Sequence, residues 1–572
     1  VTEDHRNRSP ILALVLLAAT ALAAATVDGP PPVPAPDEEG YVLTTVRGTE
    51  VLRVPLRFVG LLDDGLGPGI DIWLVELQGP VAEEVGVASG MSGSPVYFGD
   101  RLVGSLSYRF GLMPKRAIGG VTPVDSMRAA SVAVGAGRPG ETGGLAPITT
   151  PVMVGGAVAP VRDWLSNQLE GTGLAAVAAG GGPGETVAQE LRPGSPVAIE
   201  LVRGDMRLAA TGTVTWIDGE TVYAFGHPFL AGGRVAMPMS TAEVVHTLSD
   251  MAGSTKITNI GAEVGAILDD RLTAVVGRLG AEAPMFPLTV EVTGGSFGAQ
   301  RLDYEIAGHR TLTPLLVGAA TANALMSNVG YEREATIRAS GTIVLEDLPD
   351  LPAEFAFATG LDGDPTATLA GAMQRLLGRL YANPFREPRV ERIELKLHAD
   401  ASGRSYRVDR LLYDRGPVKP GQEIRLTCVL RTYRDESVRR TLTMRVPERT
   451  APGTRISVAV GSPRALQTAL GAPIETRLAS ATDLETWIEV LATRQASDRL
   501  AGALYRGDTG VIAEGELLNE LPPTATRLLS SGVPKSRRPA SRVTVMDRTD
   551  TRLDGPVTGG MVARFQVEGG DR

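Results

Sequence analysis

In several segments between residues 41 and 124 apolar and polar positions alternate with a period of two, the signature of half-buried strands. "YVLTTVRGTEVLRVPLRFVG" at 41–60 reads as two strands and "IDIWLVELQG" at 70–79 as a third. "PVYFGDRLVGSLSYRF" at 95–110 predicts a hairpin turning at Gly99-Asp100, and "AIGGVTPV" at 117–124 one more short strand. "VDSMRAASVAV" begins a helix with Asp125 near its N-cap. From 193 a second β region, "PGSPVAIELVRGDMRLAATGTVTWIDGETVYAFGHPF", has strands of regular length parted by Gly-Asp and Asp-Gly turns, which suits a barrel or a sandwich. "STAEVVHTLSDMA" at 240–252 carries helical spacing, after which "EVGAILDD", "LTAVVGRLG" and "FPLTVEVTGG" return to strands. Residues 310–330 and 366–382 are helical by periodicity, and from about 390 short strands alternate with turn signals as in a small β-sandwich.

These patterns divide the chain into a leader (1–25), a Pro-rich linker (26–40), a first β unit (41–135), a Gly-rich connector (136–190) and a second β unit (191–300). An α/β accessory region (301–388), a β-sandwich-like region (389–530) and a mostly flexible tail (531–572) follow. The tail's one expected strand is "GMVARFQVE". In the leader, Arg6 and Arg8 precede the apolar run "ILALVLLAATALAAA" at 11–25, and small residues near Ala25 offer a cleavage site. That is the layout of a secretory signal peptide; uncleaved, it would act as an anchor. No further membrane span is expected. The protein is therefore expected to be exported, periplasmic or extracellular.

A length of 572 residues implies about three or four domains. The net charge of −9, without a Lys/Arg cluster, argues against nucleic acid as a partner. The single cysteine, Cys428, precludes an intramolecular disulfide and reads as a small buried hydrophobe. The Gly-rich runs at 135–144 and 179–186 lack the Lys-Ser/Thr of a phosphate loop. There is no H-E-x-x-H, no Cys/His cluster and no EF-hand spacing, so neither metal nor cofactor is expected.

The stretch "SGMSGSP" at 89–95 sets three serines among glycines and a proline just before a strand. A catalytic serine needs a tight turn, a base and N–H groups for the oxyanion. "GMSGSP" resembles the G-D-S-G-G-P nucleophile loop of chymotrypsin-like serine peptidases, in which the third residue attacks. It is closer still to the SpoIVB-type serine peptidases, which carry G-M-S-G-S-P itself. That family's second motif, G-T-h-T, an acidic turn and h-G-H, stands here as Gly212-Thr213-Val214-Thr215, "WIDGETVYA" and Phe225-Gly226-His227. The matching regions cover roughly 41–130 and 190–280.

The resemblance implies a mainly β fold, a chymotrypsin-like double β-barrel with helical insertions, and an exported endopeptidase acting on a protein or peptide substrate in the cell envelope. It makes Ser92 the nucleophile, His227 the general base, and the Gly90 and Ser92 amides the oxyanion hole. The serine segment precedes the histidine segment, the reverse of the sporulation peptidase, so the halves are permuted; triads are recognised by geometry and not by order. For the third member, the resemblance points upstream of the serine to Asp71, with Glu76 as rival; Asp250, Asp269 and Asp270 stay open by position. The alternative class is a non-catalytic envelope scaffold that keeps a peptidase fold for binding.

Overall fold

The computed structural model describes residues 31–111, 115–129, 144–180, 190–294, 298–329, 335–358, 363–432, 436–471, 474–513, 516–518, 521–530 and 540–568. The expected leader and most of both Gly-rich runs lie outside the described residues. Strands account for 51% and helices for 17% of the structure, so the fold is mainly β.

The first unit contains β1 (Glu39–Thr44), β2 (Leu52–Gly67), β3 (Ile70–Leu77), α1 (Gly79–Val85), β4 (Ser94–Phe98), β5 (Arg101–Phe110) and β6 (Ile118–Pro123), followed by α2 (Val124–Ala129). Its strands pair in the order β4-β1-β2-β3-β6-β5, and β4 pairs with β5 to close a six-stranded antiparallel barrel. Alternation dictates the inside: Val54, Leu56 and Phe58 of β2, Trp73 and Val75 of β3, and Leu106 of β5 form one buried cluster. Met91, from the serine loop, plugs that core and is fully buried.

The stretch expected as a connector carries structure of its own: β7 (Leu145–Pro147), β8 (Thr150–Gly155), α3 (Ala159–Leu169) and β9 (Leu174–Ala178). Between the two glycine runs, apolar residues such as Val152, Val154, Leu165 and Leu169 have a core to join, and they are buried in it.

The second β unit contains β10 (Pro196–Gly204), β11 (Arg207–Asp218), β12 (Thr221–Ala224), β13 (Gly233–Leu248), β14 (Thr255–Asp270) and β15 (Val275–Leu279). Antiparallel pairing runs β10-β13-β14-β15-β12-β11 and returns to β10. The helix expected at 240–252 is instead the outer half of β13. Its apolar spacing is compatible with either period, and the pairing with β14 from Gly233↔Asp270 to Leu248↔Thr255 decides for the strand.

The sheet continues through β16 (Met285–Thr293) and β17 (Gln300–Ala307). The expected helices form as α4 (Thr313–Val329) and α5 (Pro365–Tyr381), with β18 (Thr336–Leu345), β19 (Leu351–Pro352) and β20 (Phe355–Ala358) between them. β21 (Val390–Asp400), expected to open the C-terminal region, belongs to this sheet, parallel to β16 and antiparallel to β18.

Beyond it, a four-stranded and a five-stranded sheet share one apolar cluster that includes Leu426, Cys428, Val458 and Leu504. Burial pushes the Cys428 thiol up to about 11. In the expected flexible tail the one expected strand forms as Gly560–Gln566, paired with Arg455–Gly461, and an unexpected one, Ala540–Arg552, pairs with Arg499–Ala513. Polar residues there occupy the outer positions of strands whose inner positions, such as Ala563 and Phe565, are buried. Among the described residues, no helix is long and apolar enough to cross a membrane.

Candidate functional site

The two sequence motifs meet where the first barrel abuts the second circuit of strands. The serine loop is held from the other unit by β11: the Thr213 N–H donates to Ser92 O at 2.9 Å, the Thr213 hydroxyl to Gly90 O at 3.0 Å and the Thr215 hydroxyl to Gly93 O at 2.8 Å. "GTVT" thus supplies two hydroxyls, two residues apart on one strand face, that satisfy carbonyls of the loop. Gly93 adopts φ +100°, and a Cβ there would collide with the Thr213 carbonyl and lie 2.6 Å from the Phe225 nitrogen. Only glycine lets the backbones come this close.

The histidine segment is turned by strain. Phe225 and Gly226 both have φ +67°, and the Gly226 N–H donates to Ala224 O at 2.8 Å in a tight γ-turn of the unfavourable hand. The turn seats Gly226 on the first barrel: a Cβ would overlap the Ser105 and Ser107 hydroxyls, and the Thr122 hydroxyl donates to Gly226 O at 2.7 Å. His227 is then fully buried, its Nδ1 lies 2.8 Å from Pro228 O, and the rings of Tyr108 and Phe225 stand edge-on to it with centroids 6.4 and 6.1 Å away.

Within the loop the N–H groups of Met91, Gly93 and Ser94 are committed to the carbonyls of Ala88, Leu106 and Met91. Those of Gly90 and Ser92, the pair expected to receive an oxyanion, find no acceptor among the described residues. The Ser92 hydroxyl is likewise buried without a hydrogen-bond partner there. Three polar groups left unsatisfied in one loop cost stability, which is the pattern of a site kept ready for another molecule.

No family model, curated protein or solved structure matches the chain.

The carboxylates named as acid candidates separate clearly. Asp71 closes the β2–β3 hairpin by accepting the Asp64 N–H at 2.9 Å, and no contact joins it to Ser92 or His227. Glu76 is held by the Arg57 guanidinium at 2.7 Å, Asp269 by Arg271 at 2.9 Å, and Asp250 accepts the Ala252 N–H at 2.7 Å. Asp270 is different. It is buried, and it accepts the N–H groups of Phe229 at 2.7 Å, Leu230 at 2.6 Å and Gly232 at 3.0 Å, fixing the segment that follows His227.

One group in the site carried no sequence signal. Lys256, on β14, runs beneath the serine loop: its N–H donates to Ser89 O at 3.1 Å, and its Cβ and Cδ lie against Gly90. Its Nζ is 2.9 Å from Thr44 Oγ1 on β1, and Ser94 Oγ is 3.0 Å from the same oxygen. Burial alone lowers the Lys256 amine to about 7. Nothing in "GSTKITNI" singles out a buried lysine, and only the tertiary pairing of the loop onto β14 buries it.

A cleft of about 990 Å³ lies between α1, the β3–β6 edge and the loop 249–254. Ser254, on its wall, accepts the Ser89 N–H at 2.8 Å, so the cleft reaches the start of the serine loop.

Proposed function

We propose that this chain is an exported serine endopeptidase of SpoIVB type, built as a chymotrypsin-like double barrel with permuted halves and a sandwich-like C-terminal region. The observation that carries the reading is the unsatisfied trio in the serine loop, Gly90 N–H, Ser92 N–H and Ser92 Oγ, which β11 holds beside the turn bearing His227. Ser92 attacks a peptide carbonyl, His227 takes its proton and returns it to the leaving amine, and the two amides receive the oxyanion. The antiparallel circuit β10–β15, beside the closed barrel β1–β6, supports the two-barrel architecture. The cleft above the loop's entrance is where a peptide chain would lie, and the apolar run at 11–25 supports export to an envelope substrate.

A second reading, a binding scaffold that retains the fold, is favoured by one fact: Ser92 and His227 are both fully buried. Labelling with a fluorophosphonate decides between them. The peptidase reading expects an adduct on Ser92 of the folded wild type, located by peptide mass spectrometry, that Ser92→Ala removes from that position and His227→Ala slows by about 100-fold or more. A folded protein that takes no label, and cleaves no unfolded protein substrate, would make the chain a scaffold.

A further inference from the structure

The serine loop contains a second hydroxyl that, unlike Ser92, is already connected to an amine. Ser94 Oγ, Thr44 Oγ1 and Lys256 Nζ form a continuous chain with steps of 3.0 and 2.9 Å, and all three residues are fully or almost fully buried. Hydrogen positions on such a chain follow the charge of the amine. With an ammonium, Nζ donates to Thr44 Oγ1. With a neutral amine, Ser94 donates to Thr44 and Thr44 donates to Nζ, so every heavy-atom distance serves a proton path from serine to lysine.

The surroundings favour the neutral form. The groups set against Lys256 include Thr44 on β1, which Nζ reaches, Gly90 of the loop, against which its stem lies, and Thr247, its register partner on β13, and each of these is uncharged. Among the described residues no carboxylate makes an ion pair with it, and burial is the cause of its lowered basicity. A buried amine near neutrality, unpaired by any acid, is the environment in which lysine acts as a base.

We propose that the serine loop carries a second nucleophile, Ser94, whose proton is taken by Lys256 through the hydroxyl of Thr44, giving a lysine-served acyl-transfer site within the same loop. As Ser94 Oγ bonds to the carbonyl carbon of an acyl substrate, its proton passes to Thr44 Oγ1, the Thr44 proton passes to Nζ, and the carbonyl π pair moves onto oxygen. When that pair returns, the C–N bond of a peptide substrate breaks. The leaving nitrogen takes the Thr44 proton, which the Lys256 ammonium replaces. Ser94 forms the bond to the substrate, Thr44 hands the proton to its leaving nitrogen, and Lys256 acts through Thr44 as the proton-carrying group.

This inference rests on the hydrolase reading, and one experiment separates their fates. The wild-type protein is treated with a fluorophosphonate across pH 5.5–9, and the modified serine is located by peptide mass spectrometry. The inference expects an adduct on Ser94 whose rate of formation rises with pH through about 7. Thr44→Val and Lys256→Met, both shown to be folded by circular dichroism, each lower that rate by about 100-fold and flatten its pH profile. A Thr44→Ser variant, which keeps the hydroxyl, restores it. Adduct only on Ser92, unaffected by these variants, overturns the inference and leaves the hydrolase reading standing. No adduct on either serine overturns both.

Discussion

Replacing Lys256 by Met keeps the aliphatic stem against Gly90 and removes the titrating amine. The folded chain holds that amine at about 7, against 10.5 for an unperturbed lysine. Between those values the unfolded chain carries a proton that the folded chain has released, so wild-type stability rises with pH there. The slope is about 1.4 kcal/mol per pH unit, and across the whole window the gain amounts to about 5 kcal/mol. Below about 7 both states are protonated, the gain is gone, and the full cost of a buried charge is present. Lys256→Met has no such group and loses about 1 kcal/mol for the bond to Thr44. The variant should therefore be the more stable protein at pH 7, and its advantage should shrink and then reverse as pH approaches 10.5. Urea unfolding followed by tryptophan fluorescence, on both proteins in parallel at several pH values from 6 to 10.5, reads the difference directly. A difference that does not change with pH would refute a neutral, buried lysine and with it the electrostatic reasoning.

Gly93→Ala places a Cβ on the Thr213 carbonyl at a φ of +100°, and should lower stability by about 3 kcal/mol or more, visible as a drop in Tm. Asp270→Asn removes the charge from a buried acceptor of three N–H groups, so a loss of about 3 kcal/mol is expected, with faster amide exchange at Phe229 and Leu230. Asp71→Ala should cost about 1 kcal/mol through the hairpin bond to Asp64 and leave fluorophosphonate labelling unchanged; a large loss of labelling would return Asp71 to the site. Thr215→Val deprives the Gly93 carbonyl of its donor, and a loss of about 1–3 kcal/mol in denaturant unfolding checks it.

The parts of the site that were legible in the sequence are those where backbone geometry restricts residue type. Gly93 and Gly226 sit where no Cβ fits, and Thr213 and Thr215 recur with the period of a strand to bond a loop's carbonyls. Such needs leave short motifs. Lys256 left none, because its burial comes from a loop more than 150 positions upstream laying itself on β14. The fold was read well where one face is wet and one dry, as in the first half of β2 and in the helix α5. It was misread at 240–252, where Ala242, Val244, Val245 and Leu248 fit a helical spacing as well as a strand's, and the choice is made by pairing with Thr255–Ile260 and by the bridge from Val244 to Gly48. The strand Ala540–Arg552 was missed for a related reason: a polar strand covering an existing sheet needs few apolar residues of its own.

The hydrogen bonds that shape the serine loop come from donors 122 and 123 positions later in the chain. During synthesis the first barrel is complete long before Thr213, Thr215 and the His227 turn have emerged. The carbonyls of Gly90, Ser92 and Gly93 therefore gain these donors only after the second circuit has formed and docked. Chain order acts here as a delay, leaving the loop that carries Ser92 incompletely bonded in a nascent polypeptide until its later half has folded against it.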